Sequence, residues 1–150
     1  MIDSMRDIRD AMLGEIADEL GVDYGNMPYL EDISKNNFLK NNNQYGVRAL
    51  DSTEVAGVTK MVHFTQTFEV VLTKGYSESN LDDTEQRERA YDNRENMLCI
   101  YKRLVNTRAG IPGTVLNISN LLVSEPEYLL EEKVAVQRAT MDITYRFSLI

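Results

Sequence analysis

Between Val58 and Thr73 the apolar side chains keep to alternate positions. Val58, Val62, Phe64, Phe68, Val70 and Leu72 share one parity, and Thr59, Met61, His63, Thr65, Thr67, Glu69, Val71 and Thr73 make a threonine-rich second one. A period of two marks a strand with one buried face. At about 3.3 Å per residue this segment would run roughly 53 Å unbroken, whereas a compact globule of this chain length has a diameter of roughly 40 Å. Either the strand bends, at the off-pattern Lys60 and Gln66, or it projects as one arm of a hairpin that another surface must cover. Projection is the expectation taken forward, and it points to assembly.

The same patterning predicts the remaining elements. Met5, Ile8, Met12, Leu13, Ile16, Ala17 and Leu20 recur at steps of three and four, giving an amphipathic helix over about 4–20,. Asp3 or Ser4 can cap it, Asp7 suits the positive end of its dipole, and Gly21 is a left-handed stop. The pattern then dissolves, and the asparagine-rich stretch 34–44 is expected to be a long loop in which only Phe38 and Leu39 ask for burial,. Tyr45–Asp51 reads as a strand and Asp51–Gly57 as the turn into the long strand, making an antiparallel hairpin. Residues 74–81 form a polar connection. A second helix runs over about 82–107, with Asp82, Asp83 and Glu85 at its start and Lys102, Arg103 and Arg108 at its end,. Its expected apolar stripe is Ala90, Tyr91, Met97, Leu98, Tyr101, Leu104 and Val105. Gly110 and Pro112 end it. Residues 114–123 read as a strand, 124–132 as an acidic loop around Pro126, and 132–149 as the closing strand. In that strand the apolar parity switches from Val134 and Val136 to Met141, Ile143, Tyr145, Phe147 and Leu149, which predicts a bulge or bend near Gln137–Arg138,.

Helix, loop, hairpin, helix and two strands, with neither an internal repeat nor a boundary, predict one α+β domain over residues 1–150. Its sheet is mostly antiparallel, with a long β-hairpin, and the two main helices pack on one face.

Composition adds the kind of setting. A chain of 150 residues buries enough surface to fold without staples,. Its single cysteine, Cys99, excludes an internal disulfide,. Asp3, Asp7, Asp10, Glu15, Asp18 and Glu19 give the N-terminal stretch the wrong sign for a secretory signal, and no apolar run reaches membrane-spanning length,. A soluble intracellular protein with no membrane partner is expected. The net charge of −8 is concentrated in residues 1–32, where nine acids face two bases. Clustered Lys and Arg for gripping phosphate backbones are missing, so any DNA met by this chain should be guided rather than held.

The candidate chemistry thins out on inspection. His63, the only histidine, has no HxxxE or HxH spacing and reads as a surface or partly buried side chain,. Cys99, beside Leu98 and Ile100, reads as a small apolar residue rather than a nucleophile. The pairs Asp82/Asp83 and Glu131/Glu132 are adjacent in sequence and point different ways, so caps and loops account for them. The segment from Gly110 to Gly113 lacks the Walker spacing and lysine. Arg87, Arg89, Arg94, Lys102, Arg103 and Arg108 alternate with Glu88, Asp92 and Glu95 as a salt-bridged exposed face,. No catalytic, cofactor-binding or metal residues are assigned, and an enzyme is not expected. A pocket between sheet and second helix, around His63, Tyr91 and Tyr101, would mark the contrary case of a small ligand-binding module or enzyme.

The order of elements, with Phe64-Thr-Gln-Thr-Phe-Glu-Val-Val-Leu72 in the hairpin and Thr140-Met-Asp-Ile-Thr-Tyr-Arg-Phe-Ser-Leu149 at the close, resembles the tail terminator and tail-to-head joining proteins of long-tailed bacteriophages. The long asparagine-rich insertion departs from the shorter members. The resemblance implies a non-catalytic homo-oligomeric ring, commonly a hexamer, assembled in the host cytoplasm and resident at the tail–head junction of the virion. Its implied partners are the tail tube protein, a neck or head-completion protein, and DNA passing through the lumen without specific binding. A head-completion adaptor bound to the portal is the alternative within the same class. Contacts between subunits or with partners are expected from hairpin 45–73 and loop 34–44, with Phe38, Leu39, Asp51, Thr53, Glu54 and Val55 as the candidate interface residues.

Overall fold

The computed structural model describes residues 5–21, 24–26, 43–58, 61–75, 83–129 and 134–148. Two helices, α1 (Met5–Leu20) and α2 (Asp83–Thr107), accompany six strands. The strands are β1 (Gly25–Asn26), β2 (Gln44–Val58), β3 (Met61–Gly75), β4 (Val115–Val123), β5 (Glu127–Leu129) and β6 (Val134–Ser148). Strand order is β1-β2-β3-β6-β4, with β5 also on β6. Because β4 pairs residues 139–145 of β6 and β5 pairs 134–136, these two short strands lie end to end along one edge. Only β1 is parallel to its neighbour, so the α+β, mostly antiparallel expectation holds.

Both helices form where their periodicity places them. In α1, Ile8, Met12 and Ile16 stand four apart and are wholly buried, and Gly21 ends the helix at φ 76°,. In α2 the buried line is Ala90, Asn93, Met97, Ile100 and Leu104. The expected stripe is therefore only half right, since Tyr91, Leu98 and Val105 are exposed. The reason is Asn93, a polar residue in the core line. Its Nδ2 donates to the Ala135 carbonyl at 3.0 Å and its Oδ1 accepts from Tyr24 Oη at 3.4 Å, which satisfies the buried amide,. A stripe drawn through apolar residues alone slides off that line.

One core joins α1, α2 and a single sheet face. It contains Ile8, Met12, Ile16, Met97, Ile100 and Leu104 from the helices, and Phe68, Val70, Leu72, Ala139, Met141 and Ile143 from β3 and β6. Opposed residues of an antiparallel ladder point to the same side, and the pairs Phe68↔Met141 and Val70↔Ala139 put these side chains under the helices,.

Three expectations about the strands are corrected. The supposed turn Asp51–Gly57 is strand: β2 runs on to Val58, absorbing one extra residue between Ala49 and Ser52 and another between Glu54 and Ala56. Its turn-like composition is that of a twice-bulged strand. The closing strand has no bulge near Gln137–Arg138, because β3 and β6 stay in register from Met61↔Ser148 to Gly75↔Val134. Its parity switch arises because Val134 and Val136 are buried together with Val71 and Thr73 on the sheet face opposite the helices. The long strand, finally, is not half of a lone projecting hairpin. β6 flanks β3 over its whole length, so the arm is three-stranded. The strand bounds move from 58–73 to 61–75, and the predicted acidic loop 124–132 contains β5.

Between α2 and β4 the chain reverses through Arg108, Ala109 and Gly110 at φ 51°, 55° and 80°. The positive φ of Gly110 calls for glycine there, and a methyl group would in addition come within 2.9 Å of Glu15 Oε1, the tip of a side chain that would have to shift,.

Candidate assembly interface

The sheet has two outer edges, and they are built differently from its centre. β1 covers β2 only at Gln44 and Tyr45, so from Gly46 to Val58 no strand among the described residues pairs with the outer side of β2. On the other side, β4 also carries two single-residue bulges, between Val115 and Asn117 and between Ser119 and Leu122. Asn120 takes φ 57° inside the second, a left-handed conformation that asparagine tolerates better than most residues. Unpaired edges are templates for another chain, and bulges and short strands restrict how such a chain can add.

The sheet face away from the helices is tied together by polar side chains. Glu69 Oε1, only 11% exposed at its side chain, accepts from Arg48 Nε at 3.1 Å and from Arg138 Nη1 at 3.4 Å. Arg138 Nε reaches Glu127 Oε1 at 3.0 Å. These four side chains cross β2, β3, β6 and β5 in turn. Further along, Thr67 donates to Asp142 Oδ1 at 2.7 Å, Asn120 to Asp142 Oδ2 at 2.9 Å, and the Thr65 and Thr144 hydroxyls meet at 2.9 Å. A charged carboxylate sharing two guanidinium donors in a partly dry setting holds its partners more firmly than an exposed pair.

The helix layer is fastened by Arg103. Its Nε meets Glu15 Oε2 at 2.7 Å, while Asp18 and Glu19 stand at 3.6 and 3.5 Å. The hydrogen bond to Glu15, helped by the surrounding carboxylates, raises the guanidinium pKa above its already high ordinary value, so Arg103 stays charged at every working pH. Elsewhere on α2, Arg89 pairs with Asp92 at 3.5 Å and Lys74 reaches the same carboxylate at 3.6 Å, in line with a salt-bridged face. Tyr91, Leu98 and Val105, spaced seven apart, leave an apolar line on that face with exposures of 57%, 48% and 40%. Leu122 of β4 is 71% exposed. Sequence reasoning missed this line by assigning it to the core; the seven-residue spacing was its only signal.

Of the predicted interface residues, Phe38 and Leu39 fall outside the described residues, as does most of loop 34–44. Asp51, Thr53, Glu54 and Val55 lie on the backbone of β2, in its twice-bulged half on the open edge, and their side chains are outside the description. Cys99, read as a small apolar residue rather than a nucleophile, is exposed. His63, Tyr91 and Tyr101 form no common pocket. His63 alternates with the core-facing Phe64 and so lies on the polar face, whereas Tyr101 donates to the Ile118 carbonyl at 3.4 Å and Tyr91 borders a cleft beside β5. Among the described residues no group of three or more His, Cys, Asp or Glu could hold a metal ion, and no helix is long and apolar enough to cross a membrane.

No family model and no curated protein matches the sequence. Among solved structures, the whole chain aligns with the PVC sheath/tube terminator of an extracellular contractile injection system in its extended state, determined by cryo-EM, at a TM-score of 0.57 and 14% identity. The fold resembles that of this sheath/tube terminator. This chain spans 58% of the length of that protein.

Proposed function

We propose that this chain is a non-catalytic structural subunit that assembles with copies of itself into a ring at the end of a tail tube, terminating the tube and joining it to the neck. The observation that carries the reading is the outer edge of β2 from Gly46 to Val58, which no strand among the described residues pairs, on a fold that aligns over the whole chain with a sheath/tube terminator. An edge of that length on a stiff three-stranded arm suits a contact with a different surface of the next copy. Such head-to-tail contacts close into rings when the rotation per subunit allows. The net charge of −8 suits a lumen through which DNA slides by weak repulsion,. A hexamer, with tail tube and neck proteins as neighbours, is the assembly that the family resemblance favours.

Native mass measurement with electron microscopy of the purified protein tests this. A closed oligomer that retains tail tube protein in a pull-down is expected. A chain that stays monomeric at high concentration and ignores tube protein overturns the reading, and retention of portal protein instead of tube protein reassigns it to a neck adaptor.

A further inference from the structure

The apolar line Tyr91, Leu98 and Val105 lies open on α2. At about 1.5 Å and about 100° per residue, it runs roughly 21 Å along the axis and drifts only about 40° around it, with Leu98 at its midpoint. Around the helix from Leu98, Glu95 and Lys102 flank the line on one side, at about 60° and 40°, and Arg94 and Tyr101 flank it on the other, at about 40° and 60°,. Arg94, Glu95 and Lys102 are exposed, and none of the three has an ion pair among the described residues. The pattern is self-complementary. Glu95 lies three residues before Leu98 and Lys102 four after it, so turning the helix end for end about Leu98 brings each to within about 1.5 Å of the other's level on the same flank,.

We infer that α2 pairs antiparallel with α2 of a second copy, across a two-fold axis at Leu98. In such a contact each pair of unlike residues occurs twice. Leu98 meets Leu98, Tyr91 meets Val105, and Glu95 meets Lys102 of the second copy. Arg94 comes level with Tyr101, a ring rather than a like charge. The arginines that come level with one another, Arg87 and Arg108, lie beyond the ends of the apolar line, and Arg108 Nη1 is spent on the Leu116 carbonyl at 2.6 Å. A parallel pairing would also offer Glu95 a cation, in Arg94. It would set Tyr91 against Tyr91 and Val105 against Val105, wedging one end apart, and would align the two helix dipoles. Large against small at both ends keeps antiparallel helices equally spaced. This isologous contact goes beyond the head-to-tail contact proposed for the β2 edge. Where both form, the two-fold contact joins two rings face to face.

Mass in solution and cross-linking of the full chain test this. Leu98→Asp, at an exposed helix position, should halve the wild-type mass with helix content unchanged, taking dimer to monomer or paired rings to single rings. Glu95→Lys and Lys102→Glu should each weaken pairing about tenfold, because either change creates two like-charge contacts, and the double variant should regain it. In a Cys99→Ser background, Leu98→Cys should form a disulfide with its own copy under copper–phenanthroline oxidation. Tyr91→Cys and Val105→Cys should each stay unlinked alone and join when mixed. A mass indifferent to Leu98→Asp, no recovery in the double charge variant, or self-linking of Tyr91→Cys, which marks parallel pairing, would each overturn the inference. The ring reading fails separately, as a wild-type dimer that Leu98→Asp turns into monomer and that ignores tube protein, so the two failures are distinguishable.

Discussion

The centre of the sheet and its edges follow opposite rules. β3 and β6 pair without a register shift along their full length, whereas β2 and β4 each accommodate two extra residues. The centre packs Phe68, Val70, Met141 and Ile143 beneath two helices, and a slip of one residue would turn that whole set to the other face,. The outer strands have a partner on one side only, over most of their length among the described residues, so a bulge there breaks few contacts. It also makes the edge a poor template for indiscriminate pairing.

The largest effect should come from the centre. Phe68→Ala removes a wholly buried ring from the core that both helices share, and about 3–5 kcal/mol of stability should be lost in urea unfolding,. A much smaller loss would mean that the core can collapse around the gap and that the centre is less rigid than its register suggests.

Glu69 comes next, since it lies on β3 but secures Arg48 on β2 and Arg138 on β6. Glu69→Ala leaves two guanidinium groups without their shared acceptor and should cost about 1–3 kcal/mol. The salt dependence of stability should fall with it. An unchanged urea midpoint would show that the edges need no tie to the centre.

The tyrosines give a smaller, pH-dependent contrast. Burial raises the pKa of Tyr45 on β2 and Tyr145 on β6 above the ordinary value of 10.0. The folded state thus favours the neutral phenol, while the unfolded chain ionises first as pH climbs. Stability from these groups is whole below pH 10 and declines as pH rises above it,. Tyrosinate absorbance should lag in the folded protein and catch up in urea. Coincident titration in both states would contradict their burial.

The smallest effect belongs to Leu122, 71% exposed on bulged β4. Leu122→Ser should change monomer stability by less than about 0.5 kcal/mol. Any appreciable change in self-association measured by light scattering would place this side chain in a contact between copies.

How far these features could be read in advance varied by element. Ile8, Met12 and Ile16 announced α1, and Gly21 its end, because helical period and a left-handed stop are local properties. Phe68, Val70 and Leu72 likewise declared the core face of β3. The bulges in β2 were hidden, since an extra residue is defined only against a partner strand. The line of α2 was misjudged because Asn93 is buried through bonds to Tyr24 and Ala135, both remote in sequence. The cleft beside β5 was missed for a similar reason. Arg87 and Arg94 read as ordinary members of a charged face, and only the fold brings Gln137 and Tyr128 against them.

Sequence by itself therefore determined the α+β class, the two helices, the buried parity of the long strand and the absence of any familiar catalytic motif, all of which rest on short-range periodicity and residue type. Tertiary structure decided that the hairpin is backed by a third strand, that irregularity is confined to the edge strands, that Val134 and Val136 serve the far face, and that Gln44 and Gln137 each bury a side-chain oxygen with no hydrogen-bond partner among the described residues. These depend on which distant segments meet, and burial and hydrogen-bond satisfaction are properties of that meeting rather than of any segment alone,.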